Sequence, residues 1–282
     1  MIMENNWTFI IRPKRGWFEI DLKEIWNYRA LYLIYIKRTF ITVYKQTILG
    51  PLWFLIRPVF TIIMYMFVFG GIAGISTDGA PQPLFYLSGI MLWSYFNDSF
   101  LNTSSVFIDN IYLFDKVYFP RLVIPLAQIT SNFLKMGISL ALFVILYVWY
   151  LLNGAPLHVN WALCLFPLLM LMLALHAFSW GLIISAITTK YRDLKILVEF
   201  GLQLFMYATP IVYPLSAMPE RYRPIIELNP LTSIFEAFKY GCMGCGQLNW
   251  GGLLYSMLFM IVMVVFSVLV FNRVERNFID SI

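Results

Sequence analysis

Six apolar blocks of near-bilayer length, at about 52–74, 84–107, 122–152, 161–187, 196–212 and 253–271, leave this chain few folds to choose from. A helix needs ~20 predominantly apolar residues to cross the hydrocarbon core. In lipid every backbone N–H and C=O must also be satisfied within the spanning structure, which for separate blocks of this length means α-helices. The third block exceeds the requirement and should tilt or begin in the interface, whereas the fifth barely reaches it. Only 12% of the residues are charged, against 60% hydrophobic and 18% aromatic; soluble domains carry about twice that charge. The expected fold is therefore all-α and integral to the membrane, with six transmembrane helices.

Charge gives the orientation. Sixteen of the twenty Lys and Arg fall in the segments that share a side with the N-terminus. Arg221, Arg223 and Lys239 fall on the other side, and Lys135 lies within the third block. That asymmetry places both termini in the cytoplasm. The opening residues are charged throughout and lack the apolar stretch of a cleavable signal, so the first internal span is expected to drive insertion. The net charge of +5 sits in short inter-span segments rather than along one aromatic-studded face, so no nucleic-acid partner is expected.

Two regions depart from plain spans. Residues 1–49 form a cytoplasmic N-terminal segment. Within 17–44, Trp17, Ile20, Leu22, Ile25, Trp26, Leu31 and Leu33 alternate with Glu19, Lys23, Arg29, Lys37 and Arg38, the composition of an amphipathic helix lying in the headgroup plane against membrane lipid. Residues 50–282 make the six-span domain. Inside it, about 213–245 is moderately apolar but broken by Pro214, Pro219, Pro224 and Pro230, and reads as short re-entrant or extracellular helices before the last span. Such backbone survives at membrane depth only when protein or water shields it.

Catalytic signatures are sparse. The sequence contains no GxxxxGK[ST] loop, so any ATP hydrolysis belongs to another polypeptide. His158 and His176 have no Cys or carboxylate at ligand-like spacing, and His176 reads as a neutral, hydrogen-bonded interhelical residue. Cys242 and Cys245 form a lone CxxC without a second pair, better read as small residues at a helix contact than as a metal or redox site. No metal or cofactor is expected on this chain, and no enzymatic activity of its own.

Polar residues inside spans are costly and point to function. The second block carries Asn97, Asp98, Ser99, Asn102, Thr103, Ser104 and Ser105 in its latter half. The third carries Lys135 about 14 residues past Arg121, or ~20 Å at helical rise, which is deep for snorkelling and favours a pore or a partner such as Asp98. Gln203 and Tyr207 in the fifth block are weaker candidates for the same surface.

Five strings then carry a resemblance: YKQTILGPLWFLIRP (44–58), FVFGGIAGI (67–75), KVYFPRLVIPLAQ (116–128), YRDLK (191–195) and TPIVYPLSAMPERYRPIIELNPLTSIFEAFKYG (209–241). Together, and in this order, they resemble the type-two ABC transporter permeases that export O-antigen, capsule or teichoic acid. Thr39 stands near the first string where those permeases often carry an acidic residue, which removes any charge pairing there. The resemblance implies a homodimer of six-helix subunits in the bacterial inner membrane, joined to two copies of an ATP-binding subunit that holds the ATP and Mg. It makes the N-terminal helix and the segments 109–121 and 190–193 coupling elements, with Trp26, Arg29, Lys37, Arg38, Lys116, Arg121, Arg192 and Asp193 facing the motor. For a lipid-linked glycan, aromatic rings can stack on sugar faces while amides bond hydroxyls. By residue type the path is then Tyr65, Phe69, Trp93, Phe96, Asn97, Asp98, Asn102 and Lys135, with the proline-broken segment as an outer gate. A drug or small-lipid exporter shares the six-span plan; a membrane glycosyl- or acyltransferase, or a motor-free channel, fits the residues less well.

Overall fold

The computed structural model describes residues 22–278 except 43–44, 46, 111, 114–118, 189–190 and 192. The N-terminal helices are α1 (Leu22–Asn27) and α2 (Arg29–Thr42). A 3-10 turn at Gly50–Leu52 leads into α3 (Trp53–Tyr65), which continues as a π-helical turn over Met66–Ile72. Then come α4 (Gln82–Ser104), α5 (Val106–Asp109) and α6 (Val123–Leu152). After a 3-10 turn at Trp161–Leu165 follow α7 (Phe166–Thr188) and α8 (Leu194–Tyr207). The broken segment forms α9 (Arg223–Glu227) and α10 (Thr232–Met243), and α11 (Trp250–Phe278) closes the chain.

Each of the six apolar blocks thus carries one helix, from 13 residues in α3 to 30 in α6. Four of these stretches are long and apolar enough to cross a membrane: Trp53–Ile72, Val123–Leu152, Trp161–Thr188 and Trp250–Arg273. The other two blocks differ for separate reasons. With 23 residues, α4 has the length but carries too many polar side chains, and α8, with 14 residues, is only ~21 Å long.

Among the helices of more than 20 residues the polar one, α4, is the most enclosed. Leu84, Phe85, Tyr86, Leu87, Ser88, Ser99 and Thr103 have no exposed surface, because α4 packs between α6, α7 and α3. Its hydroxyls close on its own backbone where they meet these neighbours: Ser88 donates to the Phe85 carbonyl at 2.7 Å and Ser104 to the Leu101 carbonyl at 2.8 Å. Local back-bonding of this kind lets Ser sit in an apolar interface. The α4–α7 contact depends on Gly181, where an added Cβ would lie 2.6 Å from Thr103 Cβ. Small residues at such crossings let backbones approach closely where lipid supplies no hydrophobic drive between helices.

The N-terminal helix is a packed element. Tyr28, Leu31, Tyr32, Tyr35 and Ile36 share one face of α1–α2 and pack on the apolar core, with α2 lying along α6. The Tyr32 and Thr130 hydroxyls bond at 2.6 Å across this contact. Trp26, Leu33 and Ile34 remain exposed on the other faces together with Lys37 and Arg38. Two apolar surfaces on one short helix fit an element that touches both bundle and membrane.

The proline-broken segment is likewise part of the core. Leu231, Ile234, Phe235 and Ala237 are fully enclosed. Lys239, grouped by sequence with the external loop charges, is buried instead. Its ammonium donates to the Pro210 carbonyl at 2.6 Å, lies 4.0 Å from the Phe85 ring centroid and sits 4.0 Å from Glu236 Oε1. Asn229 donates to the Ala208 carbonyl at 3.1 Å and to Thr209 Oγ1 at 2.9 Å. These bonds satisfy the non-helical backbone that follows α8, as burial requires.

Candidate functional site

A cavity of about 720 Å³ opens between α3, α4, α6 and α8. Helical spacing explains why its side chains converge, since residues three and four apart share a face. Phe54, Arg57, Thr61 and Tyr65 form the stripe on α3; Ile90, Ser94, Asn97, Asp98 and Leu101 the stripe on α4. Asn132, Lys135, Met136 and Ser139 come from α6, and Glu199, Phe200, Gln203 and Tyr207 from α8. The path residues Tyr65, Trp93, Asn97, Asp98 and Lys135 meet here, as do Gln203 and Tyr207.

Three of the residues assigned to the path by type do not line it. Phe96 is fully buried behind Trp93, in a ring cluster with Trp93 at 5.6 Å, Trp180 at 5.7 Å and Phe100 at 6.1 Å. Phe69 stacks edge-on to Tyr65 at 5.3 Å outside the cavity. Asn102 stands behind the wall, its amide 3.4 Å from Asn132 Oδ1. Composition cannot separate these from cavity-lining residues; only the rotation of each helix does. Conversely Arg57 and Glu199, both within apolar blocks, were open to the same reasoning that singled out Asp98 and Lys135. Asn132 carried a signal too, as an amide one turn before Lys135.

The polar wall is organised around Asn132. Lys135 Nζ donates to Asn132 Oδ1 at 2.9 Å, and Asn132 Nδ2 approaches Ser99 Oγ at 3.4 Å. Asp98 accepts from the Asn97 amide at 3.4 Å and lies in the field of both Lys135 and Arg57. The expected link between Asp98 and Lys135 is therefore electrostatic across the cavity wall, while the ammonium's hydrogen bond goes to an amide. Around Tyr65 and Trp93 the wall is aromatic and soft: Tyr65 donates to Met206 Sδ at 3.6 Å, and Trp93 lies 6.1 Å from Phe205. The arrangement offers hydrogen-bond donors and acceptors opposite flat apolar faces.

The other sequence-assigned residues are spread as follows. Trp26, Arg29, Lys37, Arg38 and Asp193 are exposed, with the Arg38 guanidinium over the Tyr35 ring at 5.7 Å. Arg121 is buried. Lys116 and Arg192 lie outside the described residues. Nearby, Thr188 Oγ1 donates to the Ser104 carbonyl at 3.0 Å, Ser105 bonds Asp109, and Asp109 lies 3.9 Å from Lys195. The ends of α4 and α7 and the start of α8 are thereby joined. Pro214 precedes the 3-10 turn at Leu215–Ala217, Pro224 opens α9, and the Pro219 carbonyl accepts from the Tyr222 and Arg223 amides at 2.9 and 3.3 Å. Pro230 follows the Asn229 side chain, which also caps the Leu231 amide at 3.0 Å. His176 is an interhelical residue: its Nδ1 shares a hydrogen with the Met172 carbonyl at 2.8 Å, and its ring stacks on Phe259 of α11 at 6.2 Å. Cys242 and Cys245 are free and buried. Beside them an added Cβ at Gly241 would meet the Leu163 amide nitrogen at 2.8 Å, which marks a tight helix contact.

Residues 30–243 match the family model described as ABC-2 type transporter. The chain belongs to this family. An ABC-2 chain is a multi-pass membrane permease, and the family implies an ATP-binding partner. Similar proteins include an O-antigen export system permease protein RfbA of Klebsiella pneumoniae, 27% identical over 237 residues, covering 84% of this chain and 89% of that protein. A protein of the same name from Myxococcus xanthus is 28% identical over 221 residues, covering 77% and 82%. The inner membrane transport permease YadH of Escherichia coli K12 is 25% identical over 233 residues, covering 80% and 84%.

Proposed function

We propose that this ABC-2 chain is the transmembrane subunit of an exporter that moves a lipid-linked polysaccharide, of the O-antigen, capsule or teichoic-acid kind, across the bacterial inner membrane. ATP would be hydrolysed on two copies of a separate ATP-binding subunit, docked below a homodimer of this chain. The observation that carries the reading is the cavity. A glycan is polar, long and stiff, and needs both stacking surfaces and hydrogen-bond partners to leave water. Trp53, Trp93, Tyr65 and Tyr207 supply the first, and Asn97, Asn132, Gln203, Ser94 and Ser139 the second. The names of the Klebsiella and Myxococcus relatives favour the same substrate class.

Six crossings follow if α4 and α8 complete the set. The polar half of α4 is covered by protein, so lipid does not face it. The short α8 is extended by residues 208–213, whose backbone is shielded and bonded through Asn229 and Lys239, the condition under which irregular backbone persists at membrane depth. The stacked Trp161–Trp250 pair, 5.7 Å apart and exposed, sits where an aromatic belt would meet the outer headgroups. The termini and the joined ends of α4, α7 and α8 then lie in the cytoplasm, within reach of the motor. The prolines of 213–245 border the outer mouth as a gate.

The test is export in cells. Deleting the gene should remove the polysaccharide from the surface and leave lipid-linked glycan on the cytoplasmic side. Asp98→Ala and Lys135→Ala should each lower surface polysaccharide about tenfold, as loss of one good polar contact would, at unchanged protein abundance. Wild-type export in both variants would return these residues to structural roles. Unchanged surface polysaccharide in the deletion would remove the substrate assignment.

A further inference from the structure

The cavity carries four charges, and they cancel: Arg57 and Lys135 against Asp98 and Glu199. Three of them stand toward one end. Arg57 is about 6 Å along α3, Glu199 about 8 Å along α8, and Asp98 about 9 Å from the end of α4, taking 1.5 Å per residue. Lys135 lies deeper, about 18 Å along α6. Two of the four, Asp98 and Lys135, are already engaged. Asp98 already lies between the fields of Lys135 and Arg57, and the Lys135 ammonium is bonded to the Asn132 amide oxygen at 2.9 Å.

From this we infer that the transported glycan is uncharged along its length: a polymer of neutral sugars, rather than a phosphate-backboned or uronate-rich polyanion. The inference rests on the export reading above and narrows its substrate class. An anionic residue entering the cavity loses its hydration, a cost met only by cations whose field is available. Here it must compete with Asp98 for both cations and pass Glu199 on the facing helix. Like-charge contacts of that kind exclude wrong partners more effectively than attractive contacts select right ones. A neutral sugar meets no such opposition. Its hydroxyls can donate to the carboxylates and accept from the guanidinium, the ammonium and the amides, while its apolar face lies against Trp93. In a homodimer the balance is preserved, because each copy brings a cancelling set.

The test uses the full chain in lipid nanodiscs and two radiolabelled oligosaccharides of equal length, one of mannose and one of galacturonic acid, in equilibrium dialysis at low salt. Wild type should bind the mannose oligomer about tenfold more tightly than the galacturonate. In Asp98→Asn/Glu199→Gln, which leaves the two cations unopposed, the ratio of galacturonate to mannose affinity should rise at least about tenfold over wild type. Glu199→Gln alone, on the exposed face of α8, should shift the ratio in the same direction by about threefold and serves where the double variant folds poorly. Wild type that binds galacturonate as well as mannose, or variants that leave the ratio unmoved, would overturn the inference and leave the export reading standing. Binding of neither oligomer would instead remove the glycan path itself, and this inference with it.

Discussion

Replacing Lys239 by Met should be among the most damaging single changes outside the cavity. Lys239 is 1% exposed and Glu236 2%, with 4.0 Å between ammonium and carboxylate. The substitution removes that partner, the 2.6 Å bond to the Pro210 carbonyl and the cation over the Phe85 ring. Glu236 keeps a bond from the Gln247 amide at 3.3 Å, too little to balance a buried charge. Removing one member of a buried pair costs about 3–5 kcal/mol, whereas replacing both by neutral groups of similar size costs far less. The double variant Glu236→Gln/Lys239→Met should therefore recover much of the loss, and the two positions should couple by more than about 1 kcal/mol in a double-mutant cycle. The measurement is thermal unfolding of the full chain in nanodiscs, followed by tryptophan fluorescence, with the midpoint of Lys239→Met falling by ~10 °C. If single and double variants lose equal stability, the pair is not coupled and the argument from burial fails.

Three further outcomes follow from packing and hydrogen bonding. Gly181→Val, whose Cβ would press on Thr103 at 2.6 Å, should cost about 1–3 kcal/mol by overpacking the α4–α7 crossing; Gly137→Ala, with no atom within 4 Å of the added carbon, should be neutral in the same unfolding assay. Thr130→Val removes the 2.6 Å hydroxyl bond that holds α2 on α6 and should weaken that contact by about 0.5–1.5 kcal/mol, read as faster amide exchange confined to α2. Lys195→Ala, which breaks the link to Asp109 on an exposed surface, should leave stability within about 0.5 kcal/mol, so any fall in export at normal abundance would report on motor coupling.

Some of this was readable from the chain and some was not, and the division has a physical cause. Hydrophobic block length is a local property, which is why every span-sized block is helical, and why charged Asp98 and Lys135 within such blocks pointed to the cavity before any coordinates. Which side chains enter the cavity is set by helix rotation and neighbours. Phe96 and Trp93 are equivalent in the sequence, yet only Trp93 lines the wall, with Phe96 sealed among Trp180 and Phe100. Lys239 shows the same limit. Charge counting put it outside because counting sees sequence position, whereas its burial depends on Glu236 one helical turn back and on a carbonyl 29 residues away.

The sequence by itself determined an all-helical membrane protein of one family, because hydrocarbon dictates segment length and its motifs survive in order. The tertiary structure alone decided that α4, the least apolar of the long helices, lies at the centre, since only the packing of α3, α6 and α7 around it gives its polar half protein neighbours.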